Sequence, residues 1–231
     1  MLIEEMSLRR IDPFPSGFLE NSGGLLQRVL AHLVLNSAER NFWYDLPSKS
    51  PRRLNWLMGR IVAKDCIRQW AEEQCQLKLA PVDITILPTA TGKPQVICPL
   101  LSAIVEIPDL SISHSEGWAV AAIAPLKQQI GLDVQPLKAV NPEDIILLAF
   151  SVAERQLLPK LTSNEVVGLW SVKEAASKAI GVQLHQPHDW QITDYFPETG
   201  KVKLMYGDCR LNINLIFTPE EAITICYTES G

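Results

Sequence analysis

The chain contains no GxxxxGK[ST] phosphate loop and no GxGxxG turn, which lowers any ATPase or dinucleotide-binding reading. Its five cysteines (Cys66, Cys75, Cys98, Cys209 and Cys226) never form a CxxC pair. Scattered and odd in number, they argue against a zinc or disulfide framework and fit small buried hydrophobes in a reducing cytosol. No apolar run approaches the roughly 18 residues of a membrane span. Glu4 and Glu5 precede any apolar stretch, which does not resemble a secretory signal. Basic charge is in short supply: 21 Lys and Arg against 26 Asp and Glu leave a net charge of −5. That balance argues against general nucleic-acid binding and leaves room for a local basic pocket. What is present is a chain of 231 residues, 47% hydrophobic and 20% charged, enough for one large domain or two small ones around a sizeable core.

Residues 1–24, with Pro13, Pro15, Gly17, Gly23 and Gly24, read as an extended lead-in. Helical spacing follows over Leu25 to Leu35. Asn36, with Glu39 three residues on, caps a second helix that Pro47 stops. Ser48 to Arg53 reads as a basic loop before a long amphipathic helix through Leu54, Leu57, Met58, Ile61, Val62 and Trp70. Strands are expected at Val82 to Leu87, Gln95 to Cys98, Ser111 to His114 and Trp118 to Ile123. After a crossover at Pro125 to Gln129 they are expected again at Ile130 to Gln135. Pro142 opens a helix towards Phe150. Four antiparallel strands close the chain, from Trp190, Lys201, Arg210 and Ala222, with turns at Pro197 to Gly200 and Gly207-Asp208. Helices and strands are mixed rather than alternating βαβ, so the fold class is α+β, and both halves run from helix to several strands.

The stretch Leu169 to Gly181 carries charge in an unusual place. Thr162 and Glu165 fit a capping box and Gly181 a helix stop. Trp170, Glu174 and Lys178 recur at i, i+4 and i+8 and so line one face, where a surface helix would keep its carboxylate opposite its tryptophan. A Glu–Lys pair snorkelling past a core Trp explains this; so does a carboxylate and an ammonium aimed into a cleft, one for a metal and one for a phosphate. In GLDVQ, period 2 puts Asp133 and Gln135 on one side of a strand. An aspartate on a buried strand needs a partner, either a hydrogen-bond donor or a metal. His114 among hydroxyls in Ser111-Ile112-Ser113-His114-Ser115 can donate to a phosphate or be structural. Gly92-Lys93-Pro94 alone is only a turn with a lysine.

Gly-Lys-Pro, Ser-His-Ser, Gly-x-Asp and Trp-Ser-x-Lys-Glu-Ala-x-x-Lys occur in one order from Gly92 to Lys178. Together they resemble the 4′-phosphopantetheinyl transferases of the Sfp type, and Arg52 to Arg60 with Ala63-Lys64 is similar to that family's first-half helix. The resemblance implies a pseudo-dimer of two similar α+β subdomains, 1–124 with coenzyme A phosphate contacts and 125–231 with the metal and catalytic helix, and an active site in the cleft between them. It also implies Mg²⁺-dependent transfer of phosphopantetheine from coenzyme A to a serine of an apo acyl, polyketide or peptidyl carrier protein, with release of 3′,5′-ADP. By the same resemblance Asp133, Gln135 and Glu174 are the metal residues, and Glu174, Lys178 and Asp133 the catalytic ones. Coenzyme A contacts fall to Arg52, Arg53, Lys93, Pro94, Ser113, His114, Lys173 and Lys178. Many members have Glu where this chain has Gln135; an amide oxygen or a water can take that place.

A cytoplasmic monomer without nucleic-acid or membrane partners is expected. The smaller holo-acyl-carrier-protein synthase type is disfavoured because it is much shorter and builds its site between subunits. Two other readings stay open: a different Mg²⁺-dependent pyrophosphate-cleaving enzyme, and an inactive carrier-binding module. The expected carrier-docking surface is Ile145 to Phe150, centred on Phe150, with Arg155 and Lys160 beside it; core packing is the other reading of Phe150 and stays open.

Overall fold

A computed structural model describes residues 8–11, 19, 24–48, 50–115, 118–138, 141–157 and 161–229. The fold is a mixed α+β arrangement in two compact units, Met1–Lys127 and Gln128–Gly231.

The first unit contains β1 (Leu8–Ile11), α1 (Leu25–Val34), α2 (Ser37–Asp45), α3 (Pro51–Cys75), β2 (Thr85–Pro88), β3 (Pro94–Ile97), α4 (Pro99–Ser102), β4 (Leu110–Ser115) and β5 (Trp118–Ile123). Strands β1, β5 and β4 form one antiparallel sheet in that order, and β2 pairs with β3. Met58, Val62, Cys66 and Ile67 of α3 bury their side chains with Ala119, Ala121 and Ile123 of β5. The expected basic loop is in part helix: Ser50 caps α3 and Pro51 takes its first position, where a missing N–H costs nothing. Arg52 and Arg53 therefore sit in the first turn of α3. Two strands also differ from expectation. Leu8–Ile11 pairs with β5 although it lies inside the expected lead-in. Pro81–Asp83 forms a 3₁₀ turn, so the ladder begins only at Thr85.

The second unit contains β6 (Gln128–Pro136), α5 (Pro142–Ala149), α6 (Val152–Leu157), α7 (Ser163–Ile180), β7 (Trp190–Phe196), β8 (Lys201–Tyr206), β9 (Cys209–Phe217) and β10 (Glu221–Glu229). Its antiparallel sheet has the order β6-β10-β9-β8-β7. Helix α7 covers it: Val167, Leu169, Val172, Ala175, Ala176 and Ala179 pack with Trp190, Leu204, Ile213, Leu215 and Cys226.

One polar device is built twice, once inside each unit. In the first, Lys64 of α3 is buried and donates to the Glu39 carboxylate, to Val34 O (2.8 Å) and to Pro81 O (2.9 Å). Glu39 also caps α2 in a box with Asn36 and accepts from Ile86 N–H at 2.9 Å. In the second, Lys173 of α7 donates to Glu154 (2.8 Å), Ala149 O (2.7 Å) and Pro187 O (3.0 Å). Glu154 boxes with Ser151 at the start of α6 and accepts from Ile192 N–H at 2.9 Å. Both ammonium groups are pulled to lower pKa by burial and held up by their glutamate. In each long helix a glycine precedes the lysine by five positions, Gly59 for Lys64 and Gly168 for Lys173, and each lies against its sheet. The same set of partners, carbonyls and caps recurring in the same chain order marks an internal duplication.

Removing one partner of such a pair leaves a buried charge and stranded donors. Glu154→Ala should lower unfolding free energy by about 3–5 kcal/mol, read by urea denaturation followed through tryptophan fluorescence. A loss below about 1 kcal/mol, the range of an exposed pair, would show that the clasp contributes little.

Candidate active site

The capping box at the start of α7 is formed as its sequence demands. Thr162 Oγ1 accepts from Glu165 N–H (3.3 Å), and the Glu165 carboxylate accepts from Thr162 N–H (2.8 Å). Gly181 ends the helix with φ 76°, a conformation that favours glycine. Between them Trp170, Glu174 and Lys178 all lie half-buried, as their shared face requires.

Gly131 explains how this face meets β6. A Cβ there would lie 1.8 Å from the carbonyl oxygen of Ala175, so only glycine lets the α7 backbone come so near the strand. Asp133 and Gln135 point the same way as Gly131 and meet the helix. Asp133 is 2% exposed and fully engaged. Its Oδ1 accepts from Lys178 Nζ at 2.7 Å, and its Oδ2 accepts from Ser171 Oγ at 2.9 Å and Gln135 Nε2 at 3.0 Å. Lys178 Nζ also donates to Leu132 O (3.1 Å). The Gln135 amide nitrogen reaches Glu174 Oε2 at 3.5 Å.

Two neighbouring carboxylates are thus driven apart in acidity. Burial alone would raise Asp133, but the Lys178 ion pair with the Ser171 and Gln135 hydrogen bonds holds it below the ordinary carboxylate range. Glu174 is pushed up to about 7, by burial first and by the Asp133 charge second, with Lys178 opposing. Such a split suits one carboxylate for a fixed anionic role and one for exchanging a proton near neutrality. Among the described residues no three His, Cys, Asp or Glu side chains converge as a metal cluster. The donor set here is two carboxylates and an amide, all oxygen-bearing, which fits a hard divalent ion that completes its shell with phosphate or water.

The remaining expected residues are less gathered. Lys93 is ion-paired with Asp109 (2.6 Å), just before β4, and Pro94 opens β3. His114 stands exposed near the other end of β4, about 16 Å along by strand rise. Within their unit, Lys93 and His114 are therefore not brought together. Ser113 is buried, on the face of β4 opposite to His114. Arg53 lies flat on Trp43, 3.8 Å from the ring centroid, and its carbonyl accepts from Trp43 Nε1–H. Arg52 is the exposed guanidinium at the start of α3.

Three expectations need correction. Lys173 is 0% exposed and committed to Glu154 and two carbonyls, so it does not meet coenzyme A. Phe150 is a core residue, 3% exposed, with the Lys173 ammonium 4.9 Å from its ring centroid. Ile145 is buried as well, and the exposed apolar side chains of that segment are Leu147, Leu148 and Val152. Lys160 lies outside the described residues. Ser171, adjacent to the Trp face, went unassigned in sequence; its position one turn from Glu174 and Ala175 was the available signal.

The family model of the 4′-phosphopantetheinyl transferase superfamily matches residues 129–226, which carry this entire constellation. The holo-[acyl-carrier-protein] synthase of Bacillus subtilis is 32% identical over 98 residues, 42% of this chain and 77% of that protein. The chain belongs to the 4′-phosphopantetheinyl transferase superfamily. A second holo-[acyl-carrier-protein] synthase, from Exiguobacterium sibiricum, is 31% identical over 90 residues, 39% of this chain and 66% of its own length. The solved structure of the Thermotoga maritima holo-[acyl-carrier-protein] synthase shares 20% identity at a TM-score of 0.37, over 45% of this chain and 64% of that one. The family match falls within the second unit.

The packing and the charges each lead to a measurable outcome. Gly131→Ala must displace α7 from β6; it should lower stability by roughly 1–3 kcal/mol and abolish transfer, and a variant with wild-type melting and activity would disprove the close approach. The second outcome concerns pH in the metal-free protein. Because folding raises the Glu174 pKa above its unfolded value, the native state keeps a proton that the unfolded chain releases between about 4.5 and 7. Stability therefore falls as pH rises through that window. Glu174→Gln should match wild type near pH 4.5 and exceed it at pH 8, by on the order of 3 kcal/mol at most. Denaturation curves in EDTA across that range read the difference directly.

Proposed function

We propose that the chain transfers 4′-phosphopantetheine from coenzyme A to a serine hydroxyl of an apo carrier protein, with Mg²⁺ and with release of 3′,5′-ADP. The observation that carries this reading is the convergence of Asp133, Glu174 and Lys178 at the α7–β6 contact, inside the stretch matched by the family. The relatives are named for the same chemistry on acyl carrier protein. Asp133 and Glu174 would hold the metal ion, which when bound neutralises diphosphate charge and aligns its oxygens.

The chain's own groups account for the rest. The serine oxygen attacks the β-phosphorus of coenzyme A, the bond from that phosphorus to the bridging oxygen breaks, and 3′,5′-ADP departs with the electron pair. Glu174 accepts the serine proton directly or through a water. Lys178 sits one helical turn away and offers its ammonium to the phosphate being transferred or released. Ser171 and Gln135 keep Asp133 ionised and oriented. Arg52 is the residue we assign to the coenzyme A phosphates at the start of α3, with His114 and Lys93 as further contacts.

We assign the Sfp type, in which one chain supplies both halves. The duplicated lysine–glutamate clasp supports that choice, since the chain carries the same architectural unit twice. A cytoplasmic monomer is part of this reading, in keeping with five free cysteines. Leu147, Leu148 and Val152, exposed beside α7, replace Phe150 as the apolar surface for carrier docking.

Mass spectrometry of several apo-carriers incubated with enzyme, coenzyme A and Mg²⁺ should show a gain of one phosphopantetheine. Asp133→Ala and Glu174→Ala should each cut the rate by on the order of a hundredfold, the loss typical of a transition-state charge stabiliser. No mass gain on any carrier, with carrier retained in a pulldown, would favour an inactive binding module instead. Full activity in EDTA would remove the metal from the reading.

A further inference from the structure

We propose that Gln135 is a positioning residue: its amide nitrogen bridges Asp133 and Glu174 while no cation is bound, and a metal ion enters by displacing that bridge. The inference rests on the metal-dependent reading above and adds to it a role for this side chain other than that of a ligand.

The geometry is specific. One nitrogen of Gln135 lies 3.0 Å from Asp133 Oδ2 and 3.5 Å from Glu174 Oε2. Ionised carboxylates only accept hydrogen bonds, and a primary amide presents two N–H donors from one atom. Its carbonyl end in the same place would set oxygen against the ionised Asp133 oxygen at 3.0 Å. The hydrogen-bond pattern therefore fixes the amide orientation, nitrogen inwards. Lys178 takes Asp133 Oδ1, and Asp133 Oδ2 accepts from Ser171 as well as from Gln135. A divalent ion shared by Asp133 and Glu174 would compete for the two oxygens that Gln135 joins.

The strand pairing puts no polar competitor beside the amide. Gln135 faces Ala222 across the β6–β10 ladder, a methyl group with no competing polar atom. Its side chain is half-buried rather than enclosed. A glutamate here would place a third carboxylate against two others, and only a bound cation could hold the three together. Glutamine keeps the two carboxylates paired without one.

The bridge and a direct ligand role make opposite forecasts. Gln135→Ala and the near-isosteric Gln135→Met are compared with wild type by thermal melting, in EDTA and in saturating Mg²⁺, at one fixed pH. Mg²⁺ and Mn²⁺ affinities are measured by titration calorimetry with the metal salt alone. With a bridge, both variants melt earlier than wild type in EDTA, and the gap closes in Mg²⁺. Their metal affinity rises by roughly tenfold, the equivalent of one hydrogen bond to a charged group that no longer has to be broken. With a ligand role, melting in EDTA is unchanged and metal affinity falls, which overturns the proposal. Variants with unaltered melting and unaltered metal affinity overturn it equally. A wild-type protein that melts later than the variants in EDTA yet shows no response to either metal overturns the metal-dependent reading and the displacement with it, while the bridge itself stands. The two failures are thereby distinct.

Discussion

The approach of α7 to β6 at Gly131 is the contact on which the site depends. A helix backbone within van der Waals reach of a strand backbone leaves no room for a side chain between them. Residues two and four positions along the strand are then carried under the helix face that bears Ser171, Glu174 and Lys178. The polar cluster is a consequence of backbone proximity: move the helix outwards and Asp133 loses Ser171 and Lys178 together. Each would leave behind a buried charge or donor, which is why the glycine matters more than its own size suggests.

Holding α7 at that height is the task of the Lys173–Glu154 clasp. Lys173 precedes Glu174 directly, so its ammonium faces away from the site towards α5, α6 and the turn at Pro187 before β7. Adjacent residues on a helix point about 100° apart, and the helix uses that to anchor itself with one charge while offering the next. The first unit repeats the anchor through Lys64 and Glu39 but differs at the positions after the lysine. Asp65 takes the place of Glu174, exposed and paired with Arg68 (3.0 Å), and Gln69 stands where the second unit has Lys178. The first unit keeps the parts that make the fold, but its carboxylate faces solvent and the second lysine is missing. That division separates structural from chemical residues inside one molecule.

Much of the fold was legible because local chemistry decided it. Both capping boxes, the Gly181 stop, the shared face of Trp170, Glu174 and Lys178, and the four closing strands follow from residue pattern and turn residues. Asp133 and Gln135 do share a face, as strand period requires. The misreadings came where a distant partner overrode the local sign. Lys173 reads as a second basic residue beside a catalytic glutamate, yet two carbonyls and Glu154 from other segments claim it. Phe150 reads as a docking aromatic at a helix end, but that end turns inwards onto α7. Strand β1 has too few residues to show a period, and its partner lies more than a hundred residues away. The duplication itself was half visible: Asn36-x-x-Glu39 matches Ser151-x-x-Glu154, and Gly59 to Lys64 matches Gly168 to Lys173. Only the hydrogen bonds show that these short matches belong to one device.

Charge explains why an amide suits position 135 better than a third carboxylate would. The whole protein is acidic, with a net charge of −5, so no surplus of positive field is at hand to hold carboxylates together. Within the site the cationic group is Lys178, and it is committed to Asp133 and to Leu132 O. Glu174 is left to shed its charge near neutral pH, which is how a buried acid without its own counter-ion lowers its cost. A third carboxylate would deepen that deficit, while an amide adds donors and no charge. The cluster is therefore close to balanced before any substrate arrives, and an incoming diphosphate must draw Lys178 off Asp133 or bring its own cation. The second course gives up the Gln135 amide bond alone and leaves the Lys178 and Ser171 hydrogen bonds to the aspartate in place. That is the physical ground for expecting metal and diphosphate to enter together.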